Sequence, residues 1–462
     1  MESSGKGGEG PSQAPGGLKL VLRSLNHRNF RLFFGGQGLS LIGTLMQQAA
    51  LGFLVFRLTK SKELLGLVAF AGQIPVFLVA SFAGVLGDRW DRKKVLVVTQ
   101  ALSMLQAAGM AAVAMAPETG AAWWALSVQT KIGCMIALSV MLGLINGFDM
   151  PIRQAFIVDM VDRKEDLPNA IALNSTLFNV ARVIGPAVGG YLVAAVGEGG
   201  CFVVNAASYV AVLWALLAMQ VAARPRPTQQ RHVLHSLKEG FRYVKAPGPI
   251  RSLLLLLAVV TLFGAPYGAL MPAFADGLGA GPREYGWLLS SAGAGALLGA
   301  VFLAARRSVI GLAWWIAVTP ALLGLALVTL AISPSLWVAM AALVVVGFAY
   351  MMQIGSTNTI LQTIVDHDKR SRVMSFHTMA FMGAAPVGAL AAGFLSKKIG
   401  LTATVVGGGC VCLAASAVFL SRLGALRRVL RPIYVRMGIL AVENEAVALG
   451  ANGHDKNRRT DA

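Results

Sequence analysis

Twelve long, mostly apolar stretches, separated by short polar or charged connections, dominate this chain. They fall at 32–57, 64–87, 95–116, 132–151, 169–194, 200–222, 252–273, 286–305, 310–332, 335–358, 373–396 and 400–421. Crossing the hydrocarbon layer as a helix takes about 20 apolar residues, and in that layer a helix satisfies all of its own backbone N–H and C=O groups. The pattern therefore predicts an all-α membrane protein with twelve transmembrane helices. Charge content agrees, because only 13% of residues are charged and the mean hydropathy is +0.66, whereas soluble chains carry roughly a quarter charged residues.

The net charge of +19 raises the question of nucleic acid, and its distribution answers it. With the N-terminus placed inside and the spans alternating, seven basic residues lie outside: Arg57, Lys60, Lys62, Lys131, Arg283, Lys397 and Lys398. Arg182 lies within a span, and the remaining 32 of the 40 lysines and arginines are inside. Basic residues collect on the cytoplasmic side of membrane proteins, so both termini are expected in the cytoplasm and the charge reads as topogenic. No nucleic-acid partner is expected. Residues Met1 to Gly17 are small and polar and do not read as a signal peptide. The four cysteines sit inside apolar runs without metal-ligand spacing, so neither a disulfide framework nor a metal site is expected.

The chain divides into a cytoplasmic tail (1–31), six spans (32–222), a linker (223–250), six more spans (251–421) and a basic cytoplasmic tail (422–462). Within the linker, HSLKEGFRYVKAPG has the composition of a helix lying on the membrane surface. In the tail, RLGALRRVLRPIYVRMGIL places arginines among apolar residues at helical spacing, which reads as an anchor on anionic headgroups. The halves echo each other: IVDMVD around Asp159 returns as IVDHD around Asp366, and GPAVGGYL around Pro186 as APVGALAAGFL around Pro386. Two pseudo-symmetric six-helix bundles with a substrate site between them follow from such a repeat.

The sharpest local pattern is Gly84-Val-Leu-Gly-Asp88-Arg89-Trp-Asp91-Arg92-Lys93-Lys94, at the inner end of the second span. Topology alone explains its bases but not its acids. The segment resembles the signature loop between helices two and three of the major facilitator superfamily, with Asp91 where glycine is usual. That resemblance implies the major facilitator fold and a latch: Asp88 would cap a helix of the second bundle, and Arg92 would pair with an acid on the fourth helix, for which Asp149 is well placed. Arg153 would join the network. In the fifth span, Arg182-Val-Ile-Gly185-Pro186-Ala-Val-Gly189-Gly190 is similar to the end of the drug/proton antiporter motif, a proline kink with small residues for close packing. The stretch from Asn146 to Gly190 resembles the branch holding enterobactin exporters and macrolide-efflux-like carriers. This implies export of a small organic molecule from the cytoplasm, across the inner membrane, driven by proton influx, by a protein that works as a monomer among membrane lipids.

Arg182 lies about thirteen residues into its span, near the bilayer midplane. A cation there is costly, at least ~2.5 kcal/mol if isolated, so it faces protein or water. It reads either as a cavity charge or as a structural partner of Asp149 or backbone carbonyls. Ser40, Thr44, Gln47 and Gln48 repeat at helical spacing on the first span, and Asn146, Gln353 and Asn358 are candidates to face them across a cavity. No Asp or Glu stands mid-span, so proton coupling rests on resemblance, and a lysophospholipid or metabolite carrier without proton coupling is the alternative. A membrane sensor or scaffold would need more globular sequence than the loops hold. The motifs G-x-x-x-x-G-K-[ST], HExxH and GxSxG are all absent, so no enzyme and no cofactor is expected.

Overall fold

A computed structural model describes residues 22–87, 90–118, 124–221, 248–306 and 308–436. Among these, every regular element is helical. The first four are α1 (Arg28–Thr59), α2 (Lys62–Gly87), α3 (Arg92–Met115) and α4 (Val128–Met160). One helical run, Leu167–Ala218, follows and turns at Gly197, whose φ of 75° and ψ of 174° suit only glycine. Its two legs are α5 (167–196) and α6 (198–218). Helix α7 comes in two pieces, Pro249–Gly264 and Tyr267–Gly277, parted at Pro266. Then come α8 (Pro282–Ala305), α9 (Leu312–Ile332) and α10 (Leu336–Ile364). Helix α11 runs His367–Thr378, widens into a π turn at Met379–Gly383 and resumes as Ala384–Ile399. Pro386 gives the reason, since it offers no N–H to the carbonyl four residues back, inside that turn. Helix α12 is Leu401–Arg436.

Each expected span lies on one of these helices, and the run holding α5 and α6 is long enough to cross twice. Helices α1–α6 pack together, and α7–α12 form a second bundle. Large apolar side chains such as Trp214, Leu217, Ile332 and Trp337 point outward and are largely exposed, while Gln47, Gln106 and Asn205 are buried. That inversion of the soluble pattern suits a hydrocarbon solvent. The HSLKEGFRYVKAPG segment and the end of the basic tail lie outside the described residues. The tail's first part departs from the expected headgroup anchor: α12 continues to Arg436, and Leu423, Leu426, Leu430 and Tyr434 bury one stripe against the second bundle's core. Arg422, Arg427 and Arg428 stay exposed on the other side. The helical spacing was real, but its apolar face found protein.

The halves meet along two seams, both toward the face opposite the termini: α2 against the second part of α11, and α5 against α8. The seams are near-copies. A Cβ added to Gly190 would fall 2.5 Å from the Pro282 carbonyl oxygen and 3.1 Å from Gly286 Cα; one on Gly393 would fall 2.9 Å from the Lys62 oxygen and 3.1 Å from Gly66 Cα. Only glycine permits such backbone contact. Two ion pairs span the same rim, Lys60 Nζ to Asp276 Oδ1 at 2.5 Å and Lys397 Nζ to Glu63 Oε1 at 2.7 Å. Exposed pairs like these contribute about 0–1 kcal/mol each, so backbone packing dominates the closure. Toward the terminal face the first part of α11 packs on α7 and α10 of its own bundle, and among the described residues no comparable helix pair joins the halves there. Overpacking a seam costs about 1–3 kcal/mol. Gly190→Val and Gly393→Val are each expected to shift spin-label distances between positions 63 and 397 to longer values; unchanged distances would mean that the glycines do not hold this face closed.

Candidate functional site

The loop between α2 and α3 is built into the first bundle by charge. Asp91 caps α3, its carboxylate accepting the Lys94 N–H at 3.2 Å, an arrangement worth about 0.5–2 kcal/mol. Glycine, the usual residue in the resembling loop, offers no such side chain. Arg92 donates to Asp159 Oδ2 at 2.9 Å and to the Ala155 carbonyl at 3.3 Å. The expected partner was Asp149, so the acid is indeed on the fourth helix, but about three turns further along it. Lys93 Nζ donates to the Met219 carbonyl at 2.7 Å and caps the end of α6. Gly84 lies in the last turn of α2, while Asp88 and Arg89 lie outside the described residues.

Asp149 has its own cluster instead. It is 1% exposed, accepts from Thr99 Oγ1 at 2.7 Å and from Gln100 Nε2 at 2.8 Å, and pairs with Arg153 one turn along α4. A buried carboxylate needs such partners, since an uncompensated one costs several kcal/mol. Arg153 thus holds the acid expected to pair with Arg92. Beyond the end of α4, His27 Nε2 lies 2.9 Å from Asp166 Oδ2 and its Nδ1 3.2 Å from Asp162 Oδ2, while Arg23 reaches Asp166 at 3.0 Å. These contacts clasp the start of α1 to the α4–α5 loop.

The polar residues of α1 divide. Gln47, 2% exposed, donates to Gln106 Oε1 on α3 at 3.1 Å and accepts from Asn205 Nδ2 on α6 at 2.7 Å. Thr44 shares a hydrogen bond with the Tyr209 hydroxyl on α6 at 3.1 Å and donates to the Ser40 carbonyl at 2.9 Å, and Ser40 is buried. Gln353, fully buried on α10, accepts from Thr319 Oγ1 on α9 at 2.6 Å. Ser40, Gln47 and Gln353 therefore sit inside bundles, contrary to the cavity expectation. Helical spacing identifies a shared face but not what that face meets. Gln48 is exposed, and Asn146 and Asn358 are half-exposed, the last accepting from Gln362 at 3.1 Å. An apolar groove of about 580 Å³, lined by Trp90, Val98, Leu102, Leu144 and Phe148 among others, runs along the flank of α3 and α4 rather than between the halves.

Arg182 stands at the seam itself. A Cβ on Gly293 of α8 would fall 2.5 Å from the Arg182 carbonyl oxygen, and Ser290 Oγ donates to the Val183 carbonyl at 2.7 Å. Its guanidinium lies 4.9 Å from the centre of the Phe178 ring, a contact worth about 0.5–2 kcal/mol. It pairs with neither Asp149 nor any other carboxylate among the described residues. Gly185 and Gly189 pack on α1 against Leu45, Ile42 and Met46, whereas Gly190 packs on α8 and Pro186 lends its carbonyl to Gly286. One helix, continuous through Pro186, thus serves both its own bundle and the seam. Sequence reasoning missed Gly66, Gly286 and Gly393, although the echo around Pro186 and Pro386 marked two of the four seam helices.

Two six-helix bundles meeting along glycine seams on one side define a major facilitator transporter. Residues 21–429 match the transmembrane secretion effector family of that superfamily, and the chain belongs to it. It is 26% identical over 376 residues to the multidrug efflux pump Tap of Mycolicibacterium fortuitum, covering 79% of this chain and 89% of that one. It is 21% identical to the staphyloferrin A transporter of Staphylococcus aureus, covering 85% and 96%. Among solved structures, a bacterial homologue of the human lysosomal transporter Spinster, inward-facing and unoccupied, aligns with a TM-score of 0.62 at 18% identity over 88% of this chain and 98% of that one. A POT family transporter in complex with 5-aminolevulinic acid aligns at 0.67 with 12% identity, covering 87% and 97%. These structures share the fold.

The clasp carries a pH signature. Burial alone would lower the His27 pKa, but hydrogen bonds to Asp166 and Asp162, with the charges of both, raise it above the ordinary 6.5. A raised imidazole pKa means the clasp's contribution is complete below about pH 6.5 and fades as pH climbs through the raised value. Thermal unfolding of the wild type and His27→Gln is expected to differ most near pH 6 and to converge above pH 8. A constant difference would show that the imidazolium contributes nothing.

Proposed function

We propose that the chain exports small amphipathic or hydrophobic organic molecules by alternating access, using proton influx, from an inner membrane in which both termini face the cytoplasm. The observation that carries this reading is the pair of glycine seams, which close the face opposite the termini while the halves part toward the terminal face. In that arrangement a substrate enters from the cytoplasm. Rocking about the seams would open the other side, and the loop from Gly84 to Lys94, with Asp88 toward the second bundle, would latch the cytoplasmic face. The named activities of the relatives, multidrug efflux and staphyloferrin A transport, support an organic substrate of this kind. The protein acts as a monomer in contact with lipid.

Asp149 is the proton carrier in this proposal. Arg153, Thr99 and Gln100 all hold its carboxylate, so a proton would take the place that Arg153 occupies, and Arg153 would swing away. Latch movement beside α4 supplies the occasion. A second reading, a lysophospholipid or metabolite carrier without proton coupling, draws on the absence of any mid-span acid among the described residues. Uptake of a fluorescent amphipathic dye into inverted vesicles separates the two. Uptake that rises at least tenfold with an imposed pH gradient, and loses that gain in Asp149→Asn and Asp88→Asn, is the expected outcome. Uptake indifferent to the gradient would favour the uncoupled carrier.

A further inference from the structure

The zone between the halves carries one charge of a definite sign. Arg182 of α5 projects where the bundles face each other: its electrostatic neighbours are the hydroxyls of Tyr350 on α10 and Tyr267 at the break of α7, both from the second bundle. Phe178 lies against it from its own helix, and Phe381 of the π turn sits 6.4 Å from the Tyr350 ring. Around one guanidinium there are thus three aromatic rings, Phe178, Tyr267 and Tyr350, the last two with hydroxyls able to donate, and Phe381 borders Tyr350. Arg182, Phe178, Tyr267, Tyr350 and Phe381 are all half-buried, so the group is reachable.

The buried acids Asp149 and Glu198 of the first bundle are committed elsewhere. Asp149 is held by Arg153, and Glu198, at the far end of α6, takes both nitrogens of a fork from Arg57 at 2.7 and 3.1 Å. Among the described residues Arg182 has no carboxylate partner, only the Phe178 ring face and the hydroxyls of Tyr267 and Tyr350 in its surroundings. A guanidinium offers a planar fork of donors matched to carboxylate-like anions, and aromatic rings favour a flat apolar body beside it. Because the cation comes from the first bundle and Tyr267, Tyr350 and Phe381 from the second, a bound molecule of this chemistry would touch both halves at once.

We propose that Arg182 selects the substrate class: organic anions whose acidic group seats on the guanidinium and whose planar apolar body lies among Phe178, Tyr267, Tyr350 and Phe381. This deepens, and rests on, the reading of the chain as a small-molecule exporter. Two dyes that share one flat ring system test it, carboxyfluorescein as the anion and rhodamine 123 as the cation. Binding to the purified full chain is followed by fluorescence anisotropy, and movement by uptake into inverted vesicles. The wild type is expected to bind the anion at least tenfold more tightly than the cation. Arg182→Gln loses that margin with little change for the cation, Arg182→Lys retains most of it, and Arg182→Glu reverses the order. Equal affinities in the wild type, binding of neither dye, or an Arg182→Gln variant that weakens both dyes alike would overturn the proposal. Anion preference in binding without uptake of either dye would instead sink the exporter reading and leave the anion site standing. Uptake without charge preference would do the reverse.

Discussion

Backbone touching backbone between the two bundles is the contact on which the rest of this structure depends. At Gly190 and Gly286, and again at Gly66 and Gly393, helices approach until Cα atoms take the place of side chains. In hydrocarbon there is little hydrophobic drive to hold two apolar helices together, so close van der Waals packing between small residues must supply it. Two matched seams give the molecule an axis.

Polar residues then divide by role. Inside the first bundle, Gln47, Gln106 and Asn205 link α1, α3 and α6, so these helices tilt together. At the terminal face, Arg92, Lys93, Arg153 and Asp91 each answer a helix end or an acid of the same bundle. A rigid half is what alternating access requires, because motion confined to the boundary moves one block against another. Arg182 differs from all of these in lying on the boundary among aromatic side chains, with no carboxylate partner among the described residues.

The fold was legible in the sequence because hydrocarbon imposes a length and a composition, and the loops carry the charges. The break at Pro266 and the π turn before Pro386 follow from missing N–H groups visible in any sequence. At Pro186, where a kink is expected, the helix runs on, and the non-helical backbone lies at Gly197. Azimuth was not legible. Ser40, Gln47 and Gln353 repeat as cavity residues would, yet they are buried within bundles, because a polar face on a membrane helix can meet a channel or a neighbour equally well. Nor could spacing choose between Asp149 and Asp159 for Arg92: both lie on α4, and the choice depends on how far that helix runs past the apolar stretch, which reaches Met160 rather than 151. The echo of GPAVGGYL in the second half held more than it first gave, since it marked the two seam helices that carry Gly190 and Gly393.

Gly197 has a consequence for how the protein is made. With a single residue joining α5 to α6, no polar loop exists that could cross the bilayer by itself. The two legs must enter as one hairpin, carrying Glu198 across at its tip. That carboxylate is tolerable only beside Arg57, which ends α1 and is synthesised well before it. Assembly from the N-terminus onward therefore places the cation before the anion arrives, and a pulling-force trace recorded during synthesis would register α5 and α6 as a single insertion event.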